Sequence, residues 1–148
     1  LVCTLQNSYS LINRIVELGM TEIFFREKLS FFSYSPLGFG HLSGKYLKDP
    51  KAAGRVNLFP GYAQRYNKSG VEKAIEKYDA LAAKRNMNLT DLALSFVYSQ
   101  WFVTSTVIGA TNMNQLKQNI AAYGLDIVDE ELIQEIDAIH LDVMNPAP

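Results

Sequence analysis

Leu29-Ser30-Phe31-Phe32-Ser33-Tyr34-Ser35-Pro36-Leu37-Gly38-Phe39-Gly40-His41-Leu42-Ser43-Gly44-Lys45-Tyr46 is the stretch around which the rest of the chain is arranged. It opens as a short apolar run, which suits a strand buried on both faces. Ser35-Pro36 stops that strand, because proline has no N–H to give a sheet ladder. Gly38, Gly40 and Gly44 follow, and Lys45 closes the run. Glycines directly after a buried strand let backbone N–H groups approach an anion closely, and a nearby lysine adds charge. On pattern alone, a phosphate cradle and plain turn-forming glycines are both open.

Upstream, Val2, Cys3 and Leu5 suit a buried strand over residues 1–6 that ends at Gln6, with Cys3 a small buried hydrophobe. A polar residue just past a strand's C-terminal end is where α/β folds place ligand contacts. Tyr9 to Arg14 reads as a loop. Ile15 to Lys28 reads as a helix that buries Ile15, Leu18, Ile23, Phe24 and Phe25. Strand, helix, strand in this order is a right-handed parallel βαβ unit.

Downstream, residues 47–66 carry no clear periodicity, but they do carry Lys48, Pro50, Lys51, Gly54, Arg55, Pro60 and Gly61. A long irregular loop inside a compact domain is commonly a lid over a ligand, and Arg55 is its candidate phosphate contact. Lys68 to Asn86 is a helix with Val71, Ala74, Ile75, Tyr78, Leu81 and Ala82 on one buried face. Thr90 and Asp91 start a second, deeply buried helix that runs to about Gln100, with Trp101 and Phe102 packed in the core. Ser105 to Ala110 is the third buried strand, ending at Gly109. Thr111 or Asn112 caps the next helix, which ends at Gly124. Thr111, Gln115, Gln118 and Asn119 share one polar face of it, at a helix N-terminus that follows a strand. This face is either a phosphate site or a solvated surface. The last helix, 129–140, faces Leu132, Ile133, Ile136 and Ile139 inward, with acids at its positive end and His140 at its negative end.

A chain of 148 residues fits one domain, and 48 % hydrophobic with 20 % charged residues marks a globular protein. The net charge of −1 argues against binding nucleic acid or an anionic membrane surface. No apolar run approaches the roughly 20 residues that span a bilayer. One cysteine excludes an intramolecular disulfide, and a cytoplasmic setting is expected. His41 and His140 have no Cys or carboxylate at metal-ligand spacing, so no metal site is expected. The chain starts without methionine, inside what reads as a strand, and is taken as a piece of something longer.

Tyr34-Ser35-Pro36-Leu37-Gly38 followed by Gly40-His41-Leu42-Ser43-Gly44-Lys45-Tyr46 resembles the Tyr/Trp-Ser-Pro-Leu…Leu-Ser/Thr-Gly-Lys-Tyr signature of aldo-keto reductases. Gln6-Asn7-Ser8-Tyr9-Ser10-Leu11-Ile12-Asn13-Arg14 upstream agrees with it. So does Val107-Ile108-Gly109-Ala110-Thr111…Gln115-Leu116-Lys117-Gln118-Asn119-Ile120 downstream. The segment Leu37 to Gly40 and the stretch Asn145-Pro146-Ala147-Pro148 look most like the bacterial Tas-type branch.

The resemblance implies an α/β fold over residues 1–148, a single fragment holding about strands six to eight, with their helices, of a (β/α)8 TIM barrel. It implies NADP(H), a small carbonyl substrate, and hydride transfer to an aldehyde or ketone. Gln6 would hold the nicotinamide carboxamide and Tyr34 would stack on the ring. Ser35, Leu37, Gly38, Gly40 and Lys45 would cradle the pyrophosphate, with Gly109, Thr111, Gln115, Gln118 and Asn119 at the adenosine end. Many NADPH-specific members carry an arginine where Gln115 stands, and Lys117 is its partial substitute. The family's catalytic tetrad belongs to the first half of the barrel, so no catalytic residue is assigned here, and Tyr9, His41 and Asp79 do not fill the gap. The same signature is shared by the potassium-channel β-subunits, so a non-catalytic NADP(H)-binding regulatory module is the alternative. A structural half-barrel, inactive alone, is a further one. Three parallel strands leave two open edges and a bare face, so the isolated chain, without the barrel's N-terminal half, is expected to self-associate.

Overall fold

Backbone pairing runs further along the chain than the apolar runs do. In the computed structural model, which describes residues 3–59, 61, 63–125 and 128–148, β1 spans Thr4–Ser8, β2 Ser30–Tyr34 and β3 Val103–Val107. The sheet is parallel, in the order β1-β2-β3. Gln6 is paired with Phe32 and Phe32 with Ser105, so these three side chains share a face. Ser8, Tyr34 and Val107 end the strands level with one another. The opposite face carries Leu5, Phe31 and Ser33 toward the helices, and Phe31 and Ser33 are fully buried.

Two strands differ from expectation. β1 starts and ends later than residues 1–6 because Gln6-Asn7-Ser8 pairs with β2, and Tyr9 N–H still donates to Tyr34 O at 3.1 Å. Gln6 is exposed on the bare face, Asn7 is half-buried on the opposite one, and buried Ser8 has its hydroxyl bonded by Asn13. Val2 lies outside the described residues, and Cys3 is exposed, not buried. β3 begins two residues earlier than predicted and is an exposed edge, not a buried strand. A bulge at Thr104 shifts its register, and Thr104 Oγ1 accepts from Phe31 N–H at 3.2 Å.

The predicted helix 15–28 is two pieces. A 3-10 turn, Ile15–Leu18, meets α1 (Met20–Glu27) at Gly19, whose φ of 140° no helix can carry. Val16 and Phe24 of this segment are buried in the core, and Met20 packs against it. Ile15, Leu18, Ile23 and Phe25, expected inside, are 44 %, 70 %, 44 % and 74 % exposed. The irregular stretch 47–66 holds one-turn helices α2 (Lys45–Lys48) and α3 (Arg55–Leu58) and a 3-10 turn at Gln64–Tyr66. Pro60 lies outside the described residues.

Helix α4 (Ser69–Lys84) buries the six predicted side chains, because solvent on its far side keeps the two faces chemically distinct. Helix α5 (Leu89–Tyr98) is buried nearly all round, as read. Its cap is Asn88, whose Oδ1 accepts from Asp91 N–H at 2.9 Å, and not Thr90, which is buried in the first turn. Phe102 enters the core, but Trp101 is 67 % exposed and packs edge-on against Phe25 and Phe102.

Helix α6 (Met113–Ala121) is capped by Asn112 and gives way to a 3-10 turn, Ala122–Gly124, so it ends short of the predicted Gly124. Asp129 caps α7 (Glu130–Asp142) by accepting from Leu132 N–H at 2.7 Å. The core is an aromatic cluster: Tyr9 stacks on Phe96 and meets Phe102 edge-on, and Phe24 stacks on Phe31. Among the described residues, no helix is long and apolar enough to cross a membrane.

Candidate functional site

The level ends of β1, β2 and β3 form a rim, and the segments that follow each strand stand on it. After β1 the chain turns through a small backbone bridge, Ser10 to Asn13, with both N–H···O bonds 3.0 Å long. Side chains add to the backbone bonds that hold this turn. Tyr78 of α4 donates its hydroxyl hydrogen to Leu11 O at 3.1 Å, and Asn13 Nδ2 donates to Ser8 Oγ at 2.7 Å.

After β2 the backbone runs through positive φ at Ser35 (56°), Gly38 (52°), Phe39 (56°), Gly40 (91°) and Gly44 (73°). The turn closes on Leu37 O, which accepts from Gly40 N–H at 2.9 Å and Leu42 N–H at 3.1 Å. Two of these glycines are required for different reasons. A Cβ on Gly38 would stand 3.0 Å from Ile12 Cδ1 and 3.3 Å from Tyr66 Cε1, both rigidly held side chains. A Cβ on Gly40 would meet only the flexible end of Lys45, at 3.2 and 3.5 Å. Gly40 is thus the open mouth of the loop, with an ammonium beside it.

Lys45 Nζ donates to Ala53 O at 3.1 Å and lies 4.8 Å from the centre of the Tyr46 ring. Gly54 is needed for this approach, since a Cβ there would stand 2.5 Å from Lys45 Nζ. The irregular stretch therefore folds back onto the glycine loop, with Arg55 exposed at its helical turn.

Tyr66 is the buried pillar of this region. It meets Phe39 and His41 at ring-centroid distances of 5.5 and 5.3 Å, and its hydroxyl bonds Arg65 and Ser35. Burial raises its pKa against the opposing pull of those two partners. Burial and then Lys45 lower the pKa of His41, which keeps the imidazole neutral. Among the described residues, His41 Nε2 and the Tyr46 hydroxyl are buried without a hydrogen-bond partner.

After β3, Gly109 faces open space, and Asn119 Nδ2 donates to its carbonyl at 3.2 Å. Gln115 Oε1 accepts from both Thr111 N–H (2.8 Å) and Thr111 Oγ1 (3.0 Å). Gln118 Nε2 donates to Asn88 Oδ1 and Asp91 Oδ1 on α5, each at 3.1 Å. The polar face of α6 is thus mixed: Thr111 and Gln115 are exposed, Gln118 is half-buried and Asn119 is buried. Asn119 is 3 % exposed, while Ile120 and Tyr123 are 60 % and 77 % exposed.

The sequence-predicted residues thus fall into distinct groups on one rim. Gly38, Gly40 and Lys45 meet in the loop after β2, with Ser35 and Leu37 forming its base. Thr111 and Gln115 pair with each other, and Asn119 ties α6 to Gly109. Tyr34 stands level with Val107, half-buried, at the end of β2. Gln6 is not past the end of its strand as expected. It lies opposite Phe32, two pairs below the rim on the bare face.

Sequence reasoning missed Ile12, Gly54, Tyr66, Asn88 and the turn-fixing group around Arg14. Arg14 donates to Glu17 twice at 2.8 Å and to Asp137 of α7 at 2.7 Å, and the Tyr9 hydroxyl joins Glu17. Burial works to lower the Arg14 pKa, but Glu17 and Asp137 outweigh it and raise it. A buried aromatic in a polar loop was the one signal available for Tyr66. Among the described residues, no cluster of His, Cys, Asp and Glu could hold a metal.

The model of the aldo/keto reductase family matches residues 2–140. Protein tas of Escherichia coli (strain K12) is 41 % identical over 147 residues, which are 99 % of this chain and 42 % of that protein. An aldo-keto reductase of Babesia bovis is 36 % identical over 151 residues, covering 97 % of this chain and 53 % of that protein. A probable voltage-gated potassium channel subunit beta of Oryza sativa subsp. japonica is 29 % identical over 139 residues, covering 90 % and 42 %. The chain thus spans about half the length, or less, of these relatives. With the match running over nearly all of its residues, the chain belongs to the aldo/keto reductase family.

Proposed function

We propose that this chain is the cofactor-binding part, about strands six to eight, of a (β/α)8-barrel oxidoreductase that uses NADP(H) to reduce aldehydes or ketones. The observation that carries the proposal is the set of left-handed residues Gly38, Phe39, Gly40 and Gly44 beside Lys45, at the C-terminal end of β2. It stands on the same rim as the N-terminus of α6. The residues fit a dinucleotide. Gly109 is open to an approaching ligand, and the nearest neighbour of Gly40 is the flexible, cationic end of Lys45.

In this reading Ser35, Leu37, Gly38, Gly40 and Lys45 hold the pyrophosphate, and Tyr34 offers the ring on which the nicotinamide lies. Gln6 takes its carboxamide, and Gly109, Thr111, Gln115, Gln118 and Asn119 face the adenosine end. The bound cofactor supplies hydride. Tyr34 excludes water from the ring it covers and fixes which face is presented. The proton donor is assigned to the remainder of the barrel, which leaves no catalytic residue in this chain and makes it inactive alone. A cytoplasmic location suits a protein with one cysteine.

Titration of the full-length protein with NADPH and NADH is the test. Quenched or shifted nicotinamide fluorescence, stronger with NADPH, is expected, and no change with either would refute the proposal. Its cofactor preference is the exposed part, since Gln115 carries no charge and Lys117 is the nearest cation in sequence.

A second reading, a non-catalytic cofactor-binding regulatory subunit, is favoured by the potassium-channel subunit relative. Binding of NADPH with negligible aldehyde turnover would select it. The bare face of the sheet and its two open edges also lead us to expect self-association of the isolated chain, which sedimentation would report.

A further inference from the structure

Gly38 owes its position to a segment far away in sequence. One wall of its site is Ile12, fully buried in the turn after β1. That turn is gripped from beyond α7. Ala147 N–H donates to Ile12 O at 3.1 Å, and Asn145 Oδ1 accepts from Arg14 N–H at 2.7 Å. Asn145 has φ of 43°, a conformation that asparagine and aspartate tolerate better than other side chains. Ala147 is fully buried, and Pro146 and Val143 lie over Gly70 in the first turn of α4, each 3.6 Å from where its Cβ would stand. The segment is thus socketed between α4 and the turn.

We propose that residues 145–147 are a positioning element for the glycine loop, acting through Ile12 on Gly38. The contacts are contiguous: the segment holds the backbone of Ile12 and Arg14, Ile12 walls Gly38, and Gly38 sets the course of the loop that reaches Lys45. Close-packed side chains transmit such a displacement, and the space between Gly38 and Ile12 Cδ1 is too small to take even a methyl group without a shift. The consequence for cofactor affinity rests on the function proposed above, whereas the consequence for the loop does not.

Hydrogen exchange of the amides at 36–44, without ligand, tests the link to the loop. Asn145→Ala removes the acceptor and the tolerance for positive φ. It should speed exchange there by about tenfold, the effect of one ordinary hydrogen bond. Asn145→Asp keeps both properties and should restore wild-type exchange. Arg85→Ala is the control for general loosening, since Arg85 ties α4 to α7 through Glu135 at 2.7 Å, away from the turn. It should lower the melting temperature without speeding exchange at 36–44.

In the NADPH titration, Asn145→Ala should raise Kd severalfold and Asn145→Asp should not. Wild-type exchange in Asn145→Ala, or equal acceleration in Arg85→Ala, would overturn the positioning role. A wild-type protein that binds no nicotinamide dinucleotide would instead overturn the proposed function, and the exchange result would still decide this one.

Discussion

Replacing Gly38 and Gly40 separately by alanine separates two causes that the motif presents as one. Both residues have positive φ, 52° and 91°, so either alanine carries a backbone cost of about 1–2 kcal/mol. Only Gly38 adds a packing cost. Its new Cβ would press on Ile12 Cδ1 at 3.0 Å and Tyr66 Cε1 at 3.3 Å, and overpacking of this kind costs about 1–3 kcal/mol. At Gly40 the neighbour is the end of Lys45, which swings aside. The expected losses are therefore roughly 3–4 kcal/mol for Gly38→Ala and about 1.5 kcal/mol for Gly40→Ala. For a chain of this size these convert to melting-temperature falls of about 10 °C and about 4–5 °C. Reversible thermal melts followed by circular dichroism measure both. Equal falls would refute the reasoning, because they would show that Ile12 and Tyr66 yield without cost and that φ alone sets the need for glycine.

Acidification should destabilise the protein before its carboxylates titrate. Burial lowers the pKa of His41 and His140 in the folded chain, helped by Lys45 and Arg14 respectively, so the unfolded chain binds more protons below its ordinary value of about 6.5. The associated stability is complete above that pH and is lost as pH falls below about 6.5, and urea midpoints through this fall should flatten in a variant lacking both histidines. Arg14→Met should cost about 3–5 kcal/mol by leaving Glu17 and Asp137 without their common cation, and Arg14→Lys should recover less than half, since one ammonium cannot reproduce the fork. A loss below about 1 kcal/mol for Arg14→Met in urea unfolding would show that water replaces the guanidinium there.

The two helices that the pattern treated alike came out differently, and the difference has a cause. Helix α4 has its core on one side and water on the other, so its six inward residues stand out in sequence. The 15–28 segment is apolar in several directions, and much of that apolar surface is exposed. Leu18 and Phe25 are 70 % and 74 % exposed, with Phe25 edge-on to Trp101. Periodicity reports which residues are apolar and not what covers them, so Val16 and Phe24 could not be singled out. The polar run Gln6-Asn7-Ser8 misled for the converse reason. Strand pairing is made by the backbone, so a strand takes polar side chains where solvent or a hydrogen bond meets them, as at exposed Gln6 and at Ser8 beside Asn13.

The candidate site was legible where its residues are neighbours in sequence, as in the run from Ser35 to Lys45. It was illegible where partners come from elsewhere, as with Ile12 beneath Gly38, Asn88 and Asp91 beside Gln118, and Gly54 under Lys45. Those partners bear on how the proposed ligand is held. The amides on α6 are already engaged: Gln115 by Thr111, Gln118 by Asn88 and Asp91, Asn119 by Gly109. A ligand at that end must exchange hydrogen bonds for hydrogen bonds, so each contributes little net affinity. Lys45 donates to the backbone carbonyl of Ala53, and trading that neutral acceptor for an anion adds charge–charge attraction to the bond. Affinity for a dinucleotide should therefore concentrate at the glycine loop, while the α6 end discriminates among ligands by which exchanges it permits.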